Sequence, residues 1–174
     1  RDLETQTNLA NASIINGYPS IIDVPSFLDY MIVAEIASNP DSYQFSTFFH
    51  KDRGGKLRAG PVWDYNLSYG NDLFVFGFDR SFYDLWQFEY ENMGAKFWKD
   101  LFLDSTFKCY LSKRWFELTA ENEALNYTTI SNLIDELEEM LNESQVRELQ
   151  RWPPQEGWPT VAEQEENINA MKDW

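Results

Sequence analysis

Asn39-Pro40-Asp41-Ser42-Tyr43-Gln44-Phe45-Ser46-Thr47-Phe48-Phe49-His50-Lys51-Asp52-Arg53-Gly54-Gly55-Lys56-Leu57-Arg58-Ala59-Gly60-Pro61-Val62-Trp63-Asp64-Tyr65-Asn66 is the stretch on which the fold turns. Ser46 to Lys51 and Lys56 to Ala59 are short, strand-like runs. They flank Asp52-Arg53-Gly54-Gly55, a turn sequence, so the segment reads as a β-hairpin. Gly60-Pro61 breaks the second run. Asp41 and Asp64 bracket the hairpin, 23 residues apart. A hairpin returns the chain to its start, so both aspartates are expected at the same end. Kinase phosphoryl transfer uses such a pair: one carboxylate takes the acceptor's proton, and a second holds Mg²⁺ against the phosphates. The plainer alternative is that both aspartates cap turns, where Asp is common.

Upstream, Asp23-Val24-Pro25-Ser26 starts a helix, with Asp23 or Val24 in the cap region and Pro25 in the first turn. Phe27, Leu28, Met31, Ile32, Glu35 and Ile36 follow at helical spacing. The helix must end near Asn39-Pro40, because the residue before a proline avoids the helical region. Residues 2–13 look helical but polar. Downstream, residues 67–92 carry many aromatics without a clean period and read as an ordered loop. Helices are expected over about 93–103, 105–120, 128–150 and 160–173 (from the pattern of apolar positions), with Asp104 capping the second and Thr128 the third. Leu133, Leu137, Met140, Leu141 and Leu149 give the third an apolar stripe. The fold class is therefore mostly α (α+β), helices around one small β-hairpin.

Composition limits the chemistry. Of 174 residues, 29 are acidic and 14 are Lys or Arg, a net charge of -15, which argues against a nucleic-acid partner. Residues 120–174 alone hold thirteen acids and three bases, an acidic helical tail. Aromatics divide the other way: 22 of the 29 lie between Tyr43 and Phe116. They read as a loop-rich core, with sugar or peptide stacking by residues such as Trp86 and Tyr90 as the alternative. No apolar run approaches a membrane span; Met31 to Ala34 stops at Glu35. One Cys and one His cannot build a zinc site, and one Cys cannot close an internal disulfide. Cys109 reads as a small core hydrophobe. His50, in a strand-like run, has no triad around it. Carboxylate chemistry remains, or none. Lys51, Arg53, Lys56 and Arg58 form a local basic cluster, either a solvated hairpin face or a phosphate contact.

Several of these runs together carry a resemblance. Asp23-Val-Pro-Ser-Phe-Leu-Asp-Tyr, Glu35, Asn39-Pro-Asp-Ser-Tyr, Ser46-Thr-Phe-Phe-His-Lys, Lys56-Leu-Arg-Ala-Gly-Pro-Val-Trp-Asp-Tyr-Asn and Gly70-Asn71 resemble the CotH family, the spore-coat-protein-H-like atypical kinases, in the version found in bacterial surface and secreted proteins. The match is close over residues 15–72. Phe97, Leu101, Asp104, Phe107, Arg114 and Trp115 extend it more loosely.

The resemblance implies a protein-kinase-like C-lobe fragment over residues 1–174, with a core and candidate site over 15–116 and the acidic tail over 120–174. The N-lobe, with its Gly-rich loop and Lys, would lie outside the sequence. It implies transfer of phosphate from ATP, with Mg²⁺, to Ser or Thr of a secreted or surface protein partner, at an extracellular or cell-surface location. Asp41 matches the catalytic aspartate and Asp64 the metal-binding one. Ser46 falls where kinase loops place a metal-binding Asn, and Asn66 where many members carry a further Asp. Both are neutral, which leaves a catalytically inactive kinase-fold surface, adhesion or binding module as the alternative.

Overall fold

Asp23 begins the first helix in the way its position suggests. Its backbone is extended and its Oδ1 accepts the Ser26 amide at 3.1 Å, satisfying one of the helix's free N–H groups. Helix α1 then runs Val24–Ile36. The chain is described here by a computed structural model over residues 12–70, 86–89, 95–153 and 161–174. The remaining elements are strands β1 (Phe49–His50) and β2 (Arg58–Ala59) and helices α2 (Phe97–Leu103), α3 (Ser105–Thr119), α4 (Tyr127–Arg151) and α5 (Val161–Asp173). Short 3-10 turns occupy Tyr18–Ser20 and Gln87–Glu89. The described residues are thus mostly helical with one small antiparallel sheet. The helix expected over 2–13 and much of the loop over 67–92 lie outside the described residues. No described helix is long and apolar enough to cross a membrane.

The chain divides into two compact units, Arg1–Trp115 and Phe116–Trp174. The first owns the hydrophobic core. One α1 face supplies Phe27, Leu28, Tyr30, Met31 and Ala34, and α2 supplies Phe97, Trp98 and Leu101. Trp98 lies near the centre, 1% exposed, with Tyr30 stacked on it at 5.5 Å and Phe27 and Tyr43 both at 5.2 Å. Aromatic pairs at such distances contribute about 0.5–1.5 kcal/mol each beyond the area they bury. Of the aromatics between Tyr43 and Phe116, Tyr43, Phe88, Phe97, Trp98 and Phe107 belong to this core, while Phe45, Phe48, Phe49, Trp63, Tyr69, Tyr110, Trp115 and Phe116 are exposed. Trp86 is half-exposed, its ring tilted against Phe88 and Phe102, and Tyr90 lies outside the described residues.

The hairpin is shorter than its sequence suggests. Only Phe49↔Ala59 and His50↔Arg58 pair. Gly54 makes the turn at φ +75, and Gly60 ends the ladder at φ +107, a backbone region open to glycine alone, ahead of a cis bond to Pro61. What the ladder lacks is supplied by the segment leading into α1, where Ile22 bridges Leu57 in parallel, and by the helix's first turn. Leu57 donates its amide to Ile21 O at 2.9 Å and accepts the Asp23 amide at 2.8 Å. Arg58 Nη1 donates to Asp23 Oδ2 at 2.9 Å, and the Ala59 amide to Ser26 Oγ at 3.2 Å. Asp23 thus caps a helix with one oxygen and fastens the hairpin with the other. Arg58 is committed to it, while Lys51, Arg53 and Lys56 stand exposed around the turn.

Helix α3 begins at Asp104 as its sequence suggests, Oδ1 accepting the Phe107 amide at 2.8 Å and the Tyr18 hydroxyl at 3.2 Å. It buries only Phe107. Cys109, expected in the core, is exposed. Two residues along a helix is about 200° of rotation, so the neighbour of a core position faces outward. Arg114 on α3 forks onto Asp29 on α1, Nε at 2.7 Å and Nη2 at 3.4 Å.

In the second unit, α4 is capped by Asn126 rather than Thr128: the Asn126 side chain accepts the Thr128 amide at 3.0 Å. Helices α4 and α5 pack together, tied by Lys172 to Asp135. No residue of α4 is buried, and Leu133, Leu137, Met140 and Leu141 of its apolar stripe are exposed.

Candidate functional site

The loop after α1 is built by short-range hydrogen bonds. Asn39 Oδ1 accepts the Asp41 amide at 3.0 Å, a side-chain turn of the kind Asn favours. The amides of Gln44, Phe45 and Ser46 all converge on the Asp41 carbonyl at 3.2 Å. Asp41 therefore sits at the head of a tight loop that ends on Ser46. Asp41 is partly exposed and Ser46 is buried. Beyond the hairpin, Asp64 is exposed and adopts φ 63, the left-handed region that Asp tolerates better than most side chains. Asn66 is exposed as well.

The two loops meet next to their aspartates. Ser42 Oγ donates to Tyr65 Oη at 3.2 Å. The Ser42 carbonyl accepts the Tyr30 hydroxyl at 2.5 Å and Thr47 Oγ1 at 2.6 Å. The Tyr69 amide donates to the Ala37 carbonyl at 2.8 Å, closing the C-terminal end of α1 with the chain that follows Asp64. Asp41 and Asp64 thus lie on loops that the structure brings together through their immediate neighbours, and Ser46 closes the Asp41 loop. Strain gathers here too. Ser38 (φ 43), Asp64 and Tyr69 (φ 54) are three of the four non-glycine residues with positive φ among the described residues. Such backbone persists only where its surroundings over-determine it, and it concentrates at functional sites.

Unsatisfied polar atoms concentrate on the same segments. Asn39 Nδ2, Gln44 Oε1 and Ser68 Oγ are buried with no hydrogen-bond partner among the described residues, and Asn39 is wholly enclosed. A buried unpaired polar atom costs about 1–3 kcal/mol, so three around one pair of loops make these loops costly for the fold to hold.

Glu35, on α1 six residues before Asp41, is tied to the Gln87–Glu89 turn. Its Oε2 accepts the Gln87 amide at 2.7 Å and its Oε1 the Phe88 amide at 3.3 Å. Burial pushes its carboxyl up to about 7, the Glu89 charge adding to it, against the opposing pull of the Tyr43 hydroxyl and the two amides. Desolvation outweighs three favourable donors. Burial also pushes the Tyr43 phenol, and the Tyr65 phenol, well above the usual tyrosine range. The local chemistry is that of hydroxyls that stay protonated around a carboxyl that titrates near neutrality.

Among the described residues no group of three or more His, Cys, Asp or Glu is assembled. A nucleotide-bound Mg²⁺ does not require one, since it takes one or two carboxylates and completes its shell with phosphate and water. Asp41, Ser46, Asp64 and Asn66 are all oxygen donors of the hard type that Mg²⁺ accepts. Sequence spacing had pointed to the two aspartates. The residues that connect them, Tyr30, Ser42 and Tyr65, carry no such signal beyond Tyr65 lying inside Trp63-Asp64-Tyr65-Asn66.

Set against models of known families, residues 2–174 match the family described as CotH kinase protein. No curated protein and no solved structure matches the chain.

Proposed function

The chain belongs to the CotH kinase protein family, and on that premise we propose that it forms most of the C-lobe of an atypical kinase transferring phosphate from ATP to Ser or Thr of a secreted or bacterial surface protein. The observation that supports this reading is the Ser42–Tyr65 hydrogen bond, which joins the residues following the two aspartates. Asp41 accepts the proton of the acceptor hydroxyl as its oxygen bonds to the γ-phosphorus. The bond from that phosphorus to the bridging oxygen breaks, and the nucleoside diphosphate leaves. Asp64 would hold Mg²⁺, with Ser46 and Asn66 as further oxygen donors; the ion, when bound, neutralises charge on the phosphate oxygens. The strained backbone at Asp64 supports a placement set by function rather than by local preference. The nucleotide's remaining contacts belong to an N-terminal lobe.

A second reading has its own support. Ser46 is neutral, short and buried, a poorer metal ligand than the Asn of kinase loops. On this reading the chain is a kinase-fold surface or adhesion module without transfer activity.

Calorimetric titration with Mg²⁺ and ATP separates the two, using the chain together with its natural N-terminal sequence. The kinase reading expects saturable binding that Asp64→Ala weakens by at least about 10-fold. It also expects Asp41→Asn to lower transfer about 10²–10⁴-fold with binding retained. Equal heats from the wild type and Asp64→Ala would leave the non-catalytic module standing.

A further inference from the structure

The hydrogen bonds around Ser42 form more than a single tie. Ser42 is wholly buried. Its hydroxyl donates to Tyr65 and its carbonyl accepts the Tyr30 hydroxyl. The residue after Asp41 thus bridges two tyrosines. The bridge is anchored on one side only by rigid structure: Tyr30 lies on α1, 3% exposed, stacked on Trp98 in the core. On the other side it reaches Tyr65, the residue after Asp64, whose backbone is in the left-handed region and whose side chain is exposed. A loop held in that conformation needs an external fastening, and the Tyr65 hydroxyl supplies one.

We infer that Tyr65 is a positioning residue: through the Tyr30–Ser42–Tyr65 bridge it sets where the Asp64 carboxylate stands relative to Asp41, and so the site's competence to hold a divalent cation. The inference rests on the roles proposed above for Asp41 and Asp64. Tyr65→Phe is the matched test, because it removes one oxygen and keeps the ring's bulk. Outer partners that orient metal ligands typically matter 10–100-fold in metal affinity or activity.

Two readouts are taken on wild type, Tyr65→Phe and Ser42→Ala. The first is amide hydrogen exchange at Gln44, Phe45 and Ser46, which bond to the Asp41 carbonyl, and at Tyr69, which bonds to Ala37. The second is Mn²⁺ binding with ATP present. Both variants are expected to exchange at least about 10-fold faster at these amides, with α1 and α4 unchanged. Both are expected to bind Mn²⁺ about 10-fold more weakly, with the double variant no worse than either. Unchanged exchange overturns the inference. Faster exchange with unchanged Mn²⁺ affinity also overturns it, since the bridge would then serve structure alone. A wild type that binds no Mn²⁺ sinks the kinase reading instead, while exchange at the four amides still decides whether the bridge joins the loops.

Discussion

The two units spend their residues in opposite ways. Residues 12–115 hold the whole hydrophobic core, three strained non-glycine residues and buried polar atoms without partners. Residues 116–174 carry α4, which buries nothing and leaves Leu133, Leu137 and Leu141 exposed, and they hold an excess of eleven negative charges. Strain and unpaired polar groups are costly, and only a densely packed scaffold can sustain them. The candidate loops therefore belong to the unit that owns the core, and the acidic helices contribute charge and surface instead.

The largest effect expected from this contrast is on stability. Trp98→Ala opens the centre of an aromatic cluster and should cost about 3–5 kcal/mol, whereas Leu137→Ala on exposed α4 should stay within about 0.5 kcal/mol. Urea unfolding followed by circular dichroism measures both, and similar costs would erase the distinction between the units.

Glu35 gives the next effect. Its folded carboxyl titrates near 7, above its ordinary 4.5. Between those values the folded state keeps a proton that the unfolded state has lost. Its contribution is therefore fully present below pH 4.5 and is lost as pH rises through 7, on the order of 3 kcal/mol. Glu35→Gln should remove that slope, so stability curves of the two proteins from pH 4 to 8 should lie closest at the acid end and separate toward the alkaline end. Parallel curves would show that the carboxyl is not desolvated by the core.

The smallest effect belongs to the second unit. Asn126→Ala removes the α4 cap and should cost about 1 kcal/mol, seen as a lower unfolding midpoint. No change would mean that α4 is fixed from elsewhere.

How much of this was legible follows interaction range. The caps at Asp23 and Asp104 are three-residue interactions, readable from adjacent letters. At α4 the same logic slipped by two residues, because Asn126 and Thr128 are both good caps and only backbone geometry chooses. The hairpin turn was readable, yet the ladder is two pairs long because Leu57 bonds instead to Ile21 and Asp23, just ahead of α1. Cys109 was misplaced because a core-like residue type does not say which side of a sparsely buried helix it occupies.

The sequence by itself determined the helical segments, the hairpin and the two aspartates that flank it, since periodicity, turn chemistry and spacing are written within a few residues. It also carried the family resemblance. The tertiary structure alone decided that Ser42 meets Tyr65 across 23 residues and that Glu35 grips amides 52 and 53 residues away. Those bonds exist only after the core around Trp98 has closed, because hydrophobic burial, which has no direction of its own, leaves to packing which polar groups end up face to face.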